Sequence, residues 1–126
     1  MAIVERKVKT GDYETFILEG GTEHKDAVIL IHGSGPGANG KANWQFVIDD
    51  YAQDFHVVAL DLFGFGNTDH PEEYPENGVQ WMSVRVKQVL DLMDALNIEK
   101  ANLIGNSLGG VVAMYLNMAA PERFNK

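Results

Sequence analysis

The sequence predicts an α/β protein in which short strands alternate with helices around a mostly parallel sheet. Three observations carry that expectation. Two apolar runs, residues 27–31 (AVILI) and 55–60 (FHVVAL), each stop at a glycine-rich loop, as strands buried on both faces of a parallel sheet do. The stretches between such runs place apolar residues at helical rather than strand spacing. Two β-like runs at the start, residues 3–8 and 13–18, are separated by Thr10-Gly11-Asp12 and read as an antiparallel hairpin at one edge.

In chain order, the hairpin leads into the 27–31 strand. Trp44, Val47, Ile48 and Tyr51 follow at offsets of three, four and seven, which predicts one amphipathic helix. After the 55–60 strand comes the turn Asp61-Leu62-Phe63-Gly64-Phe65-Gly66, then a polar, proline-containing loop to Gly78. Met82, Val86, Val89, Leu90, Met93 and Leu96 predict a second helix, and residues 101–104 (ANLI) another strand. Leu108, Val111, Val112, Tyr115, Leu116 and Ala119 predict one face of a last helix, stopped by Pro121. Strands joined through helices imply right-handed crossovers, and the absence of any internal boundary implies a single domain over 1–126.

Bulk properties exclude several function classes. A net charge of −8 and a pI near 4.8 leave no basic patch for nucleic acid or an anionic membrane surface. The chain has no cysteine, so it has no disulfide, thiolate nucleophile or cysteine zinc site, which fits a cytoplasmic location. The charged start, residues 1–9, is not a targeting signal, and no apolar run is long enough to span a bilayer. Asp61, Asp69, Glu72, Glu73 and Glu76 read as a solvated loop rather than a metal site, and Trp44 and Trp81 as packing or rim residues. No cofactor is expected.

The chemistry concentrates in two loops. Gly105-Asn106-Ser107-Leu108-Gly109 is a G-x-S-x-G motif between a predicted strand and a predicted helix, the context of a nucleophile elbow. Flanking glycines permit the sharp turn that lifts the Ser107 hydroxyl above the sheet, and the Leu108 amide at the helix N-terminus is placed for a developing oxyanion. A bland alternative makes Ser107 a helix N-cap. His32-Gly33-Ser34-Gly35-Pro36-Gly37 directly follows the 27–31 strand, and its backbone amides, that of Ser34 foremost, offer the second oxyanion donor. His32 itself reads as a structural histidine bonded to backbone.

The order HGSGPG, Asn43-Trp44, DLFGFG, GNSLGG resembles the α/β-hydrolase superfamily, and within it the meta-cleavage product hydrolases of aromatic degradation. That resemblance covers nearly the whole chain. It implies a cofactor-free serine hydrolase acting on an ester or on a carbon–carbon bond in a vinylogous diketone. It also implies Ser107 as nucleophile, Ser34 and Leu108 as oxyanion amides, and Gly33, Gly35, Asn43 and Asn106 around the substrate. The strand order it implies is 1-2-4-3-5.

Members of the family are about twice as long, continuing with further strands, a lid, and the acid and histidine of the triad. The chain therefore reads as the N-terminal half of the fold, weak or inactive alone. Its 101–104 strand should form an open edge, through which a homodimer or higher oligomer is expected. Of the histidines present, His70 is a better stand-in base than His24 or His56, because loops after parallel strands gather at one end of the sheet. Two rival readings remain. One is a non-catalytic folding or assembly module. The other is a dinucleotide-binding unit, since Gly33-x-Gly35-x-x-Ala38 follows a strand and Asp61 ends the next, although Pro36 removes an amide that a pyrophosphate would use.

Overall fold

Five strands form one sheet in the order β1-β2-β4-β3-β5, as expected. The computed structural model describes residues 3–125. Met1 and Ala2 of the charged start, and Lys126, lie outside them. β1 (Val4–Thr10) and β2 (Tyr13–Gly20) make the hairpin, in register from Val4 against Glu19 to Thr10 against Tyr13. β2 pairs antiparallel with β4 (His56–Leu60), which runs parallel to β3 (Ala27–Ile31), itself parallel to β5 (Ala101–Gly105). Each parallel pair needs a crossover, and those crossovers cover both faces.

Alternation along the strands divides the core in two. Val28, Leu30, Val57 and Ala59 pack under Trp44, Ile48 and Ala52 on one face. Ile29, Ile31, Val58 and Leu60 pack under Val89, Leu92, Met93, Val112 and Leu116 on the other.

The helix expected over 44–51 is two short ones, α1 (Gly40–Trp44) and α2 (Ile48–Ala52). Asn39 caps α1, its Oδ1 accepting from the Ala42 amide at 2.7 Å. The break at Val47 (φ −124°) lets Trp44 and Ile48 both reach the sheet but turns Val47 outward. α3 (Gly78–Ala95) is capped by Asn77 and ends in a left-handed Asn97 (φ 58°), with the Ile98 amide bonded back to the Met93 carbonyl at 2.8 Å. Its buried face is Gln88, Val89, Leu92 and Met93, while Met82, Val86, Leu90 and Leu96 of the expected stripe are half-buried.

α4 (Leu108–Ala119) departs most from expectation. Gly109, Val112 and Leu116 face the sheet, but Val111, Tyr115 and Ala119 are exposed, because the expected stripe is wider than the strip of sheet beneath it. The β5 edge is also not wholly open. After α4 and a short 3₁₀ turn (Pro121–Arg123), Phe124 bridges Ala101 in parallel, and the Asn125 amide donates to the Ala101 carbonyl at 2.9 Å. No helix among the described residues is long and apolar enough to cross a membrane.

Candidate active site

The C-terminal ends of β3, β4 and β5 release three loops at the same end of the sheet, and the chemistry-bearing residues sit there. Ser107, between β5 and α4, has φ 56° and ψ −111°, a strained conformation for a residue with a β-carbon. The sequence forces it there by leaving no room on either side. A methyl group on Gly105 would overlap the backbone of Gly109 and Gly110, and one on Gly109 would overlap the carbonyl of Ile31. The glycines thus let α4 begin almost in contact with both β5 and β3. The Asn106 amide ties the turn to the Ile31 carbonyl at 3.0 Å. Ser107 occupies the N-cap position of α4 but makes no side-chain cap bond there.

The loop after β3 closes on this turn. A methyl group on Gly33 would lie 3.1 Å from the Asn106 carbonyl oxygen and 3.5 Å from the Ser107 Cβ. Asn43 Oδ1 accepts from the Gly33 amide at 3.0 Å and from Asn106 Nδ2 at 2.9 Å, so one carboxamide clasps both loops. The Gly33 amide is thereby spent. Those of Ser34 and Leu108 donate to nothing among the described residues. Gly35 (φ 130°) stands exposed with open space around it.

His32 is fully buried and structural, as expected. Its Nε2 accepts from the Leu62 amide at 3.0 Å, which leaves Nδ1–H to donate to the Gly33 carbonyl at 2.7 Å. Burial holds its pKa below the ordinary 6.5, so the ring is neutral with both nitrogens committed. Asp61 is likewise committed, Oδ1 to the Gly40 amide at 2.7 Å and Oδ2 to the Asn67 amide at 2.9 Å, so it is not free for the ribose that the dinucleotide reading required. Sequence reasoning missed Gln88 and Arg85. Buried Gln88 accepts from the Phe63 amide and donates to Thr15 Oγ1 and the Asp61 carbonyl. Arg85 donates twice to the Phe63 carbonyl and stacks 4.7 Å from Trp81 and 5.2 Å from Phe65, whose ring meets His32 edge-on. Burial lowers the pKa of Arg85. A polar residue inside a helical apolar stripe was the available signal for Gln88.

The remaining histidines are engaged elsewhere. His70 bonds the Gly66 carbonyl at 3.2 Å, His56 pairs with Glu19 at 2.7 Å, and His24 sits 3.5 Å from Glu23. None of these contacts reaches Ser107. Among the described residues no group of three or more His, Asp or Glu is placed to hold a metal ion.

A strained serine at a strand-to-helix elbow, facing a glycine loop with spare amides, marks the α/β class of proteins whose sites gather at the carboxyl ends of parallel strands. Residues 26–126 match the alpha/beta hydrolase fold family, and the chain belongs to it. It is 39% identical over 99 residues to the 2-hydroxymuconate semialdehyde hydrolase of Pseudomonas sp. (strain CF600), covering 79% of this chain and 34% of that protein. It is 37% identical to the 2-hydroxy-6-oxo-6-(2'-aminophenyl)hexa-2,4-dienoic acid hydrolase of Metapseudomonas resinovorans, covering 98% of this chain and 41% of that protein. Among solved structures, the 2-hydroxy-6-oxo-6-phenylhexa-2,4-dienoate hydrolase of Rhodococcus sp. strain RHA1 superposes with a TM-score of 0.95 at 44% identity. The match covers 99% of this chain and 44% of that one. The chain thus spans less than half the length of these relatives, and it resembles the meta-cleavage product hydrolases among them.

Proposed function

We propose that Ser107 is the nucleophile of a serine hydrolase whose substrates are the vinylogous diketones of meta-cleavage, or simple esters. The observation that carries this reading is the Ser107 backbone (φ 56°, ψ −111°), held between two glycines that tolerate no β-carbon. Strain kept at one exposed hydroxyl has no packing purpose. In the proposed step the Ser107 oxygen attacks the substrate carbonyl, its proton passes to a general base, and the Ser34 and Leu108 amides stabilise the tetrahedral oxyanion. Asn43 and Asn106, joined to each other, border the substrate with Gly33 and Gly35. Because every described histidine is engaged away from Ser107, the base comes from outside residues 1–126, and the chain alone turns over slowly or not at all.

A second reading, a non-catalytic assembly module, is favoured by that same lack of a base. Hydrolysis of p-nitrophenyl acetate by the wild type and Ser107→Ala separates the two. Ser107-dependent turnover, even a slow one, supports the hydrolase. Identical rates in both variants, on the chain alone and with the rest of a relative supplied, leave only the assembly role.

A further inference from the structure

At the amino ends of the parallel strands, the opposite end of the sheet from Ser107, three neighbouring strands build one charged cluster. Glu19 of β2 is buried, its side chain 7% exposed. Its Oε1 accepts from Arg6 of β1, through Nε at 2.9 Å and Nη2 at 2.8 Å. Its Oε2 lies 2.7 Å from Nε2 of His56, the first residue of β4. A carboxylate held by an arginine only accepts, so Nε2 carries the proton and donates, and in the neutral ring the lone pair sits on Nδ1. The His56 amide is bonded to the Asp26 carbonyl at 2.8 Å, which fixes the backbone beneath the ring. Nδ1 has no hydrogen-bond partner among the described residues and is not sealed from solvent.

His56 borders a cavity of about 800 Å³, the size of a small-molecule site. Ala27, Leu96 and Ile98 give that cavity an apolar wall. Lys25 and Lys100 line it too, and neither is in an ion pair among the described residues. A clamp joining β1, β2 and β4 accounts for Glu19 and Arg6, but it leaves the open nitrogen of its third member without a role.

We propose that His56 is the reactive group of a second acyl-transfer site, oriented by Glu19 and independent of Ser107, that takes activated acyl compounds of the aryl ester class. Nδ1 attacks the acyl carbon, the bond from that carbon to the aryl oxygen breaks, and the aryloxide leaves toward the lysine ammonium groups. The acylimidazolium so formed is positive, and the Glu19 carboxylate beside Nε2 offsets that charge. Water then adds to the acyl carbon, the carbon–nitrogen bond breaks, and the carboxylate departs as the imidazole recovers its lone pair. In sum, the ester and one water give carboxylate, aryloxide and two protons. Carboxylate and imidazole stand to each other as the acid and base of a triad do, with no hydroxyl between imidazole and substrate.

The test measures p-nitrophenyl acetate hydrolysis by the 126-residue chain carrying Ser107→Ala, at a single pH. What Ser107 itself contributes is the difference between that variant and the wild type, so the two sites succeed or fail separately. The expected rate exceeds buffer, falls about tenfold or more when His56→Gln is added, and is unchanged by His70→Gln, whose histidine bonds the Gly66 carbonyl. Because His56→Gln also alters the clamp, the Ser107→Ala chain with every histidine intact is treated with diethyl pyrocarbonate, which acylates imidazole, and the label is mapped by peptide mass spectrometry. His56 is expected to carry the label before His24 and His70 do. The proposal is overturned by a rate no different from buffer, by a rate that survives His56→Gln or falls equally with His70→Gln, or by labelling of His24 or His70 ahead of His56.

Discussion

The two sides of α4 obey different rules. On its inner side Gly109, Val112 and Leu116 meet the sheet so closely that the residue types are dictated by neighbours within the chain. On its outer side Val111, Met114, Tyr115 and Met118 are equally apolar but touch little. The difference teaches that the corner bearing Ser107 is organised by close backbone contacts with β3 and by the Asn43 clasp, whereas nothing among the described residues covers the outer stripe. The described residues therefore hold Ser107 in the strained conformation by their own contacts.

Gly109→Ala tests the inner side and carries the largest expected effect. Its β-carbon would overlap the Ile31 carbonyl oxygen, where backbone, not a flexible side chain, must yield. A loss of about 3 kcal/mol is expected in urea unfolding. Met114→Ala, on the outer side of the same helix, should change stability by under about 0.5 kcal/mol. Equal losses at the two positions would break the comparison.

His32 gives the next largest effect and has a pH signature. His32→Ala strands the Leu62 amide, a buried donor, at a cost of about 2 kcal/mol. Because burial lowers the His32 pKa in the fold, the unfolded chain binds more protons as pH falls below 6.5. Its contribution is complete above 6.5 and lost as pH falls toward the folded-state value. Asp69 acts in the same direction but only from 3.8 downward, held low by the Glu14 amide and Lys7. The expected outcome is a wild-type stability that declines as pH falls below 6.5 and a His32→Ala stability that declines less. Parallel curves would remove His32 from the account.

Much of this was legible in residue order. The strand succession and the two glycine loops follow from runs such as AVILI and GNSLG, where burial and steric necessity act on neighbours in sequence. The helix over 44–51 was misread because its period continues across Val47 while the backbone does not, and only the position of the sheet decides which of Trp44, Val47 and Ile48 turns inward. The clasp of Asn43 on Gly33 and Asn106 joins residues 10 and 63 positions apart, and the Gln88 bridge from α3 to Asp61 and Thr15 spans still more of the chain. A stripe interrupted at Gln88 marks a buried polar group, but which partners such residues find leaves no periodic trace.

A smaller expected effect, and a gain instead of a loss, is the most direct test of whether strain belongs to Ser107 and not to the turn as a whole. Ser107→Gly removes the β-carbon that disfavours φ 56°, ψ −111°, a conformation worth about 1–3 kcal/mol of strain. Glycine adds unfolded-state entropy, which costs about 0.5–1 kcal/mol. The net expectation is a gain near 1 kcal/mol in the urea midpoint at unchanged slope. Ser107→Ala keeps the β-carbon, and therefore the strain, and should stay within about 0.5 kcal/mol of the wild type. Should both substitutions stabilise alike, the serine hydroxyl and not the backbone is the cost. A stabilisation confined to glycine means the fold maintains an unfavourable backbone at one exposed hydroxyl, as the role proposed for Ser107 requires.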